Sequence, residues 1–335
     1  MTRERDSSRA GDAPPLSSAP VVHIRFELIE RTDASCGLRV GAAATTLVRM
    51  KTIKGVTSVA ALRGQGITEA EIRWAVNTGA LARIRPGWLR TADADPAIVR
   101  AVQSGGRLGC VSAAEHHGLW VPEHNGFHVS IPRHAGRHAT AGLVPHWAGD
   151  PWRVNPSPVE PLESVIRQVL VCCDRDSAIS VIDSALYRRK IGIRALERIV
   201  GRMPEEYRTV LTEANGLSES GYESTCRLRL SRRGFSLRTQ VKLPRIGRVD
   251  LLLGDRLIIE ADGREWHEGP NAFLVDRSRD LAAHREGYLP LRLAPHHIEN
   301  EWAWVERVVS SIVERGEHLW SAQQLRYRAN NGFGG

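Results

Sequence analysis

"VDLLLGDRLIIEADGREWH", residues 249–267, has two apolar segments around a short turn, yet it carries Asp250, Glu260, Asp262 and His267. Runs such as "VDLLL" and "RLIIE" are those of strands covered on both faces, where an unpaired carboxylate costs far more than a hairpin supplies. That context argues against ordinary surface acids. Register decides whether they cooperate. A three-residue turn, Gly254 to Arg256, pairs Leu253 with Leu257 and sets Asp250 opposite Glu260; a two-residue turn puts the acids on opposite faces, because a slip of one residue flips every side chain. In the first register Asp262 shares the face of Glu260. Such close carboxylates repel, and a divalent cation supplies the missing charge. Oxygen ligands with positions left for water and phosphate describe Mg²⁺ (or Mn²⁺) in phosphodiester hydrolysis. His267 follows the second strand, and an ordinary imidazole, titrating near about 6.5, can accept or return the proton of an attacking water.

Working outward, "SESGYESTCRLRLSRRGF" predicts a helix with Cys226 and Leu228 on its inner side. It also carries Glu223 and a basic stripe of Arg227, Arg229, Arg232 and Arg233, of which Arg227 is a candidate DNA contact, as is Arg264 beyond the hairpin. "SLRTQVKLP" is a strand before the hairpin; a helix over 271–286, the strand "YLPLRLA" and an amphipathic helix follow. The order α-β-β-β-α-β-α predicts a mixed sheet flanked by helices.

Residues 217 to about 315 resemble the domain-of-unknown-function family related to very-short-patch-repair endonucleases, within the PD-(D/E)xK, or restriction-endonuclease-like, superfamily. The likeness rests on Glu223, Gln240, "RVD" with Asp250, "EADG" with Glu260 and Asp262, and His267. "DRSRD" with Asp276, Arg279 and Asp280, and "YLPLRL", extend it. It implies a Mg²⁺-dependent DNA endonuclease with Asp250 and Glu260 as metal ligands, Glu223 as a supporting carboxylate and His267 as acid or base. Asp262 stands where the superfamily has lysine, a lysine that the very-short-patch-like branch also lacks. Lys242 or Arg264 could supply positive charge near the scissile phosphate.

At the other end, "GVTSVAALRGQGITEAEIRWAVNTGALARIRPGWLR", from residue 55, reads as helix, turn, helix and two short strands around Pro86 and Gly87. Thr57 or Ser58 can cap the first helix, and Thr68 with Glu71 forms a capping box for a second over 69–78. Ile72, Val76 and the stem of Trp74 give that helix its apolar side, and Gly79 ends it. This is the pattern of a winged helix-turn-helix. Its second helix, with Arg73, enters the major groove while Arg83, Arg85 and Arg90 reach phosphates. Winged helices also serve as protein-protein adaptors. With "LGCVSAAEHHGLW" the segment resembles the N-terminal antitoxin-type winged helix of abortive-infection (type IV toxin-antitoxin) proteins, which implies duplex DNA and a cognate toxin as partners.

The chain has 335 residues, enough for two or three domains. A disordered tail is expected over 1–49, a winged helix over 50–92, a mixed α/β connector over 93–214 and the nuclease-like unit over 217–320. Met50 directly precedes the first patterned segment and is a candidate translation start. Forty-six Lys plus Arg, nearly all Arg, against 38 Asp plus Glu give a net charge of +8, which favours an anionic partner. No apolar run reaches the roughly 18 residues of a membrane span and no secretory signal opens the chain, so a cytoplasmic protein without a membrane partner is expected. Five cysteines contain no C-x-x-C pair, which argues against a zinc ribbon or disulfide framework. His116 with His117, and His296 with His297, face different ways on their helices and make poor metal pairs. A homodimer is compatible with nuclease action, although no heptad announces one. Two readings follow, a Mg²⁺-dependent endonuclease or a non-catalytic, antitoxin-type DNA-binding regulator on a degenerate nuclease fold.

Overall fold

In the computed structural model, residues 53–132, 142–148, 157–261 and 270–332 are described; the expected tail over 1–49 lies outside them. Strand β1 (Val56–Ser58) leads into helix α1 (Val59–Gly64), then α2 (Glu69–Asn77), β2 (Ala82–Arg85) and β3 (Trp88–Arg90). The capping residue of α1 is Ser58, whose Oγ accepts from Ala61 N at 3.0 Å. Thr68 and Glu71 cap α2 reciprocally. Gly87, at φ +80°, supplies the turn that folds β2 back on β3. β1 adds a strand that local pattern does not announce, making an antiparallel sheet of order β1-β3-β2. Leu62, Ile67, Ile72, Ala75, Leu81 and Leu89 form its core. Ala75, rather than the expected stem of Trp74, fills the inner side of α2, and Trp74 is 37% exposed.

The middle of the chain continues with α3 (Pro96–Gln103), β4 (Arg107–Leu108), α4 (Cys110–His116), β5 (Phe127–Pro132) and β6 (Leu143–Ala148). Helices α5 (Leu162–Cys172), α6 (Arg175–Tyr187) and α7 (Ile193–Val200), a 3₁₀ turn and α8 (Val210–Glu213) follow. Asp95 caps α3, with Pro96 at the first helical position where its missing N–H is harmless. β5 lies between β4, antiparallel, and β6, parallel. The core of this part takes in Val56 and Trp88 from the first sheet and Leu228 from the next helix, so apolar packing is continuous along the chain.

That next helix is α9 (Gly221–Arg232), followed by β7 (Leu237–Leu243), β8 (Gly247–Leu253), β9 (Leu257–Ala261), α10 (Pro270–Arg285), β10 (Leu289–Leu293), α11 (Pro295–Asn300), α12 (Trp302–Glu314) and α13 (Ala322–Asn330). The sheet is mixed, in order β10-β9-β8-β7, with β10 parallel to β9 and the other pairs antiparallel. Leu251, Leu253, Leu257 and Ile259 pack on one face with Tyr222, Cys226 and Leu230 of α9 and with Val305 and Val309 of α12. Val249, Leu252 and Ile258 pack on the other with Ala283 of α10 and Tyr288. The architecture is therefore mixed α/β, with a helix-covered mixed sheet in the C-terminal part.

The basic stripe expected on α9 meets a different environment. Both sides of this helix are covered, one by the sheet and one by α6. Asp183 of α6, fully buried, accepts from Asn215 N at 2.8 Å and Gly216 N at 3.0 Å with one oxygen; the other accepts from Ser224 Oγ and Arg227 Nη2, both at 2.8 Å. Arg227 is thus a buried partner of Asp183, not a phosphate contact. Arg229 Nε bonds Asp176 at 2.8 Å, Arg232 pairs with Asp176 and Glu213, and Arg233 Nε bonds Glu306 at 2.6 Å. The stripe is neutralised within the molecule.

Candidate active site

The β8–β9 turn spans Gly254 to Arg256, with Leu253↔Leu257, Leu252↔Ile258 and Leu251↔Ile259 in register. Gly254 stands at φ +61°, the left-handed conformation glycine adopts without penalty. Simple alternation then fails at Asp250. Val249 packs with Leu252 on the α10 face, whereas Leu251 packs with Leu253 on the α9 face. Between the partners Thr239↔Leu251 and Val241↔Val249, Gln240 takes φ +53°. A bulky residue in that region signals a local twist held in place by its surroundings.

This twist joins Asp250 to the α9 side. Gln240 Nε2 donates to Glu223 Oε2 at 2.7 Å and approaches Asp250 Oδ1 at 3.4 Å, and Asp250 Oδ2 accepts from Ala261 N at 3.0 Å. Glu223 also completes the capping box of α9, accepting from Ser220 N at 3.0 Å and Glu219 N at 2.9 Å. That capping role by itself accounts for a glutamate at the position. Burial, reinforced by the charge of Asp250, pushes the Glu223 carboxyl up to about 8.

Glu260 has a different neighbourhood. Its Oε1 accepts from Arg279 Nη2 of α10 at 3.2 Å, and Arg279 also donates to Arg248 O at 2.6 Å. Arg292, the β10 residue level with Glu260, donates to Asp280 at 2.8 Å. Glu223 and Asp250 are therefore brought together through Gln240, while Glu260 is held from α10. Among the described residues, the carboxylate oxygens of these three acids do not all lie within 4.8 Å of one another. The β8–β9 pairing runs to Leu251↔Ile259, one step short of Asp250 and Glu260. Asp262, Arg264 and His267 lie outside the described residues.

At the N-terminal end Arg73 and Arg83 are exposed, and with Arg63 they line one cleft of about 600 Å³ between α2 and the β2–β3 turn. Arg63 pairs with Glu69. Arg90 is half-buried, as is Arg85, whose Nη1 points to Val102 O at 3.5 Å.

A second group was not anticipated. Cys110, His128, His146 and Cys172 present ligand atoms that all lie within 4.8 Å of one another. His128 Nδ1 stands 3.1 Å from His146 Nε2 and 3.8 Å from Cys172 Sγ. Burial, with His146 and His124 nearby, pushes the His128 imidazole down to about 4, and burial lowers His146 as well. A bond with Cys173 and burial push the Cys110 thiol up. No short spacing motif could have revealed this group, because its members come from four separate elements.

No family model matches the chain, and no curated protein matches it. Three solved chains do. One, described as the crystal structure of the RV2827C protein from Mycobacterium tuberculosis, is 13% identical over 57% of this chain and 81% of its own, with a TM-score of 0.27. A likeness that slight carries no inference about function.

Proposed function

We propose that the chain is a DNA-binding protein whose C-terminal unit is a Mg²⁺-dependent endonuclease centre of the very-short-patch-like, PD-(D/E)xK kind, delivered to duplex DNA by an N-terminal winged helix. The observation that carries this reading is the line from buried Glu223 through half-buried Gln240 to half-buried Asp250, in which proximity to Asp250 helps raise the proton affinity of Glu223. Crowding of that sort is relieved by a divalent cation. The oxygen-only donors suit magnesium: Asp250 and Glu260 would hold the ion, with Glu223 in support. Bound magnesium supplies Lewis-acid polarisation of a phosphoryl oxygen and a lowered pKa for its water. For the protein's own part, Gln240 bridges the two α9-side acids and Arg279 fixes Glu260. His267 is retained as the candidate acid or base that the family resemblance implies, and Asp262 as a candidate catalytic carboxylate. Arg73 and Arg83 flank one cleft and are the cationic groups best placed to meet a phosphate backbone.

The test is plasmid DNA incubated with Mg²⁺ or Mn²⁺ and either the native chain or an Asp250→Asn, Glu260→Gln double variant. Cleavage by the native chain alone supports the enzyme. The Arg279–Glu260 bond favours a second reading, in which an arginine occupies the place of a cation and the unit is a scaffold for an antitoxin-type regulator. Unchanged plasmid together with a retained duplex gel shift would select that reading.

A further inference from the structure

We propose that Cys110, His128, His146 and Cys172 form a structural zinc site, a second metal centre remote in sequence from the hairpin and independent of the nuclease reading. Two thiolates and two imidazoles in a tetrahedron are the donor set zinc favours, and four protein ligands close the coordination sphere, as in sites that stabilise a fold rather than run a reaction.

The spacing fits. Zn–N bonds of about 2.0–2.1 Å and Zn–S bonds of about 2.3 Å at tetrahedral angles place nitrogens about 3.3 Å apart and nitrogen from sulfur about 3.6 Å. The observed separations are 3.1 Å for His128 Nδ1 to His146 Nε2 and 3.8 Å for His128 Nδ1 to Cys172 Sγ. Cys110 and His128 are buried, whereas Cys172 is exposed, so the group is open to solvent on the Cys172 side.

The backbone around the group is arranged with unusual care. Cys110 takes φ +48°, a left-handed conformation that a β-carbon disfavours. It is kept there by Gln168 Oε1, which accepts from Cys110 N at 2.7 Å, while Gln168 Nε2 donates to Ser130 Oγ at 3.3 Å. A β-carbon at the preceding Gly109 would lie 3.0 Å from Gln168 Oε1 and 3.1 Å from Ser130 N. Ser112 Oγ accepts from His128 N at 3.1 Å. Polar groups that orient the ligands from behind are the usual companions of a metal site. The ligands also span four elements: the start of α4, β5, the edge strand β6 and the last residue of α5. One ion would fasten β6 to helices with which it shares no sheet ladder.

The full chain, produced without a histidine tag and kept reduced, should carry about one zinc per molecule by elemental analysis. Cobalt substitution should give visible d–d bands and a thiolate-to-cobalt charge-transfer band. Cys110→Ser and His128→Asn should lose the metal and lower the thermal midpoint; Cys226→Ser, in the other core, should keep the metal. Should Cys110→Ser fail to fold, His146→Ala on the edge strand provides the reading, folded by circular dichroism yet depleted of zinc. The proposal is overturned by reduced, folded native protein with less than about a tenth of an equivalent of zinc and no cobalt–thiolate band. It is equally overturned if metal content does not respond to these ligand variants, or if intact mass shows Cys110 in a disulfide with Cys172 or Cys173.

Discussion

Replacing Asp183 by Ala tests whether α9 is an internal strut or a nucleic-acid surface. Asp183 is the acceptor of four hydrogen bonds, two from the backbone, one from Ser224 and one from Arg227. Removing it leaves the Arg227 guanidinium, 9% exposed as a residue, without this counter-charge. Breaking a buried pair from one side costs about 3–5 kcal/mol. Arg227→Met is milder, because Asp183 keeps three of its four donors; the loss of one charge-assisted hydrogen bond is about 2 kcal/mol. The double variant should cost less than the two singles together, by about 1–3 kcal/mol for groups in direct contact. Urea unfolding followed by tryptophan fluorescence gives all three values. A cost for Asp183→Ala below about 1 kcal/mol, or one equal to that of Arg227→Met, would refute the account. If Arg227→Met instead weakened duplex binding at unchanged stability, Arg227 would be a phosphate ligand after all.

Gly221→Ala should destabilise by about 1–3 kcal/mol, because the new β-carbon would sit 2.1–2.4 Å from atoms of the Trp120 ring; a midpoint in urea equal to that of the native chain would remove this contact from the argument. Glu223 carries a proton affinity raised from 4.5 to about 8. Its contribution to stability is therefore fully present below about pH 4.5 and is lost as the pH rises through about 8. Metal-free Glu223→Gln should not show that decline in chemical denaturation across the same range, and parallel curves for the two proteins would count against it. Arg73→Ala and Arg83→Ala should each weaken duplex binding to a similar degree on unrelated sequences and reduce the slope of log affinity against log salt by about one; an unchanged slope would take both residues off the interface.

What was legible in the sequence was mostly local. Gly254–Arg256 marked the turn and left two registers open, and the three-residue one is the one adopted. Thr68 with Glu71 marked a helix start through chemistry confined to one turn. The order of strands and helices around the hairpin could likewise be read from apolar period. Long-range partners could not. The stripe of arginines on α9 looks solvated only until Asp176, Asp183 and Glu213, far upstream, are set against it. Alternation along β8 could not foresee that Val249 and Leu251 pack on opposite faces, which goes with the left-handed Gln240 on the neighbouring strand. The Cys/His group was invisible for the same reason: no two of its members are near in the chain, and only the packing of α4, α5 and the β5–β6 pair gathers them.

Because α9 belongs to two cores at once, the chain is not a string of interchangeable parts. A gene cut between residues 214 and 217, where composition suggests a seam, would separate Asp183 from Ser224 and Arg227 and draw Trp120 away from Tyr222, whose rings meet edge to face 5.4 Å apart. Each fragment would expose a raw surface that the intact molecule never shows to water. The C-terminal unit borrowed by another protein would have to bring a substitute for α6 with it, so its exchange between lineages should be constrained by a helix that lies outside it in the chain.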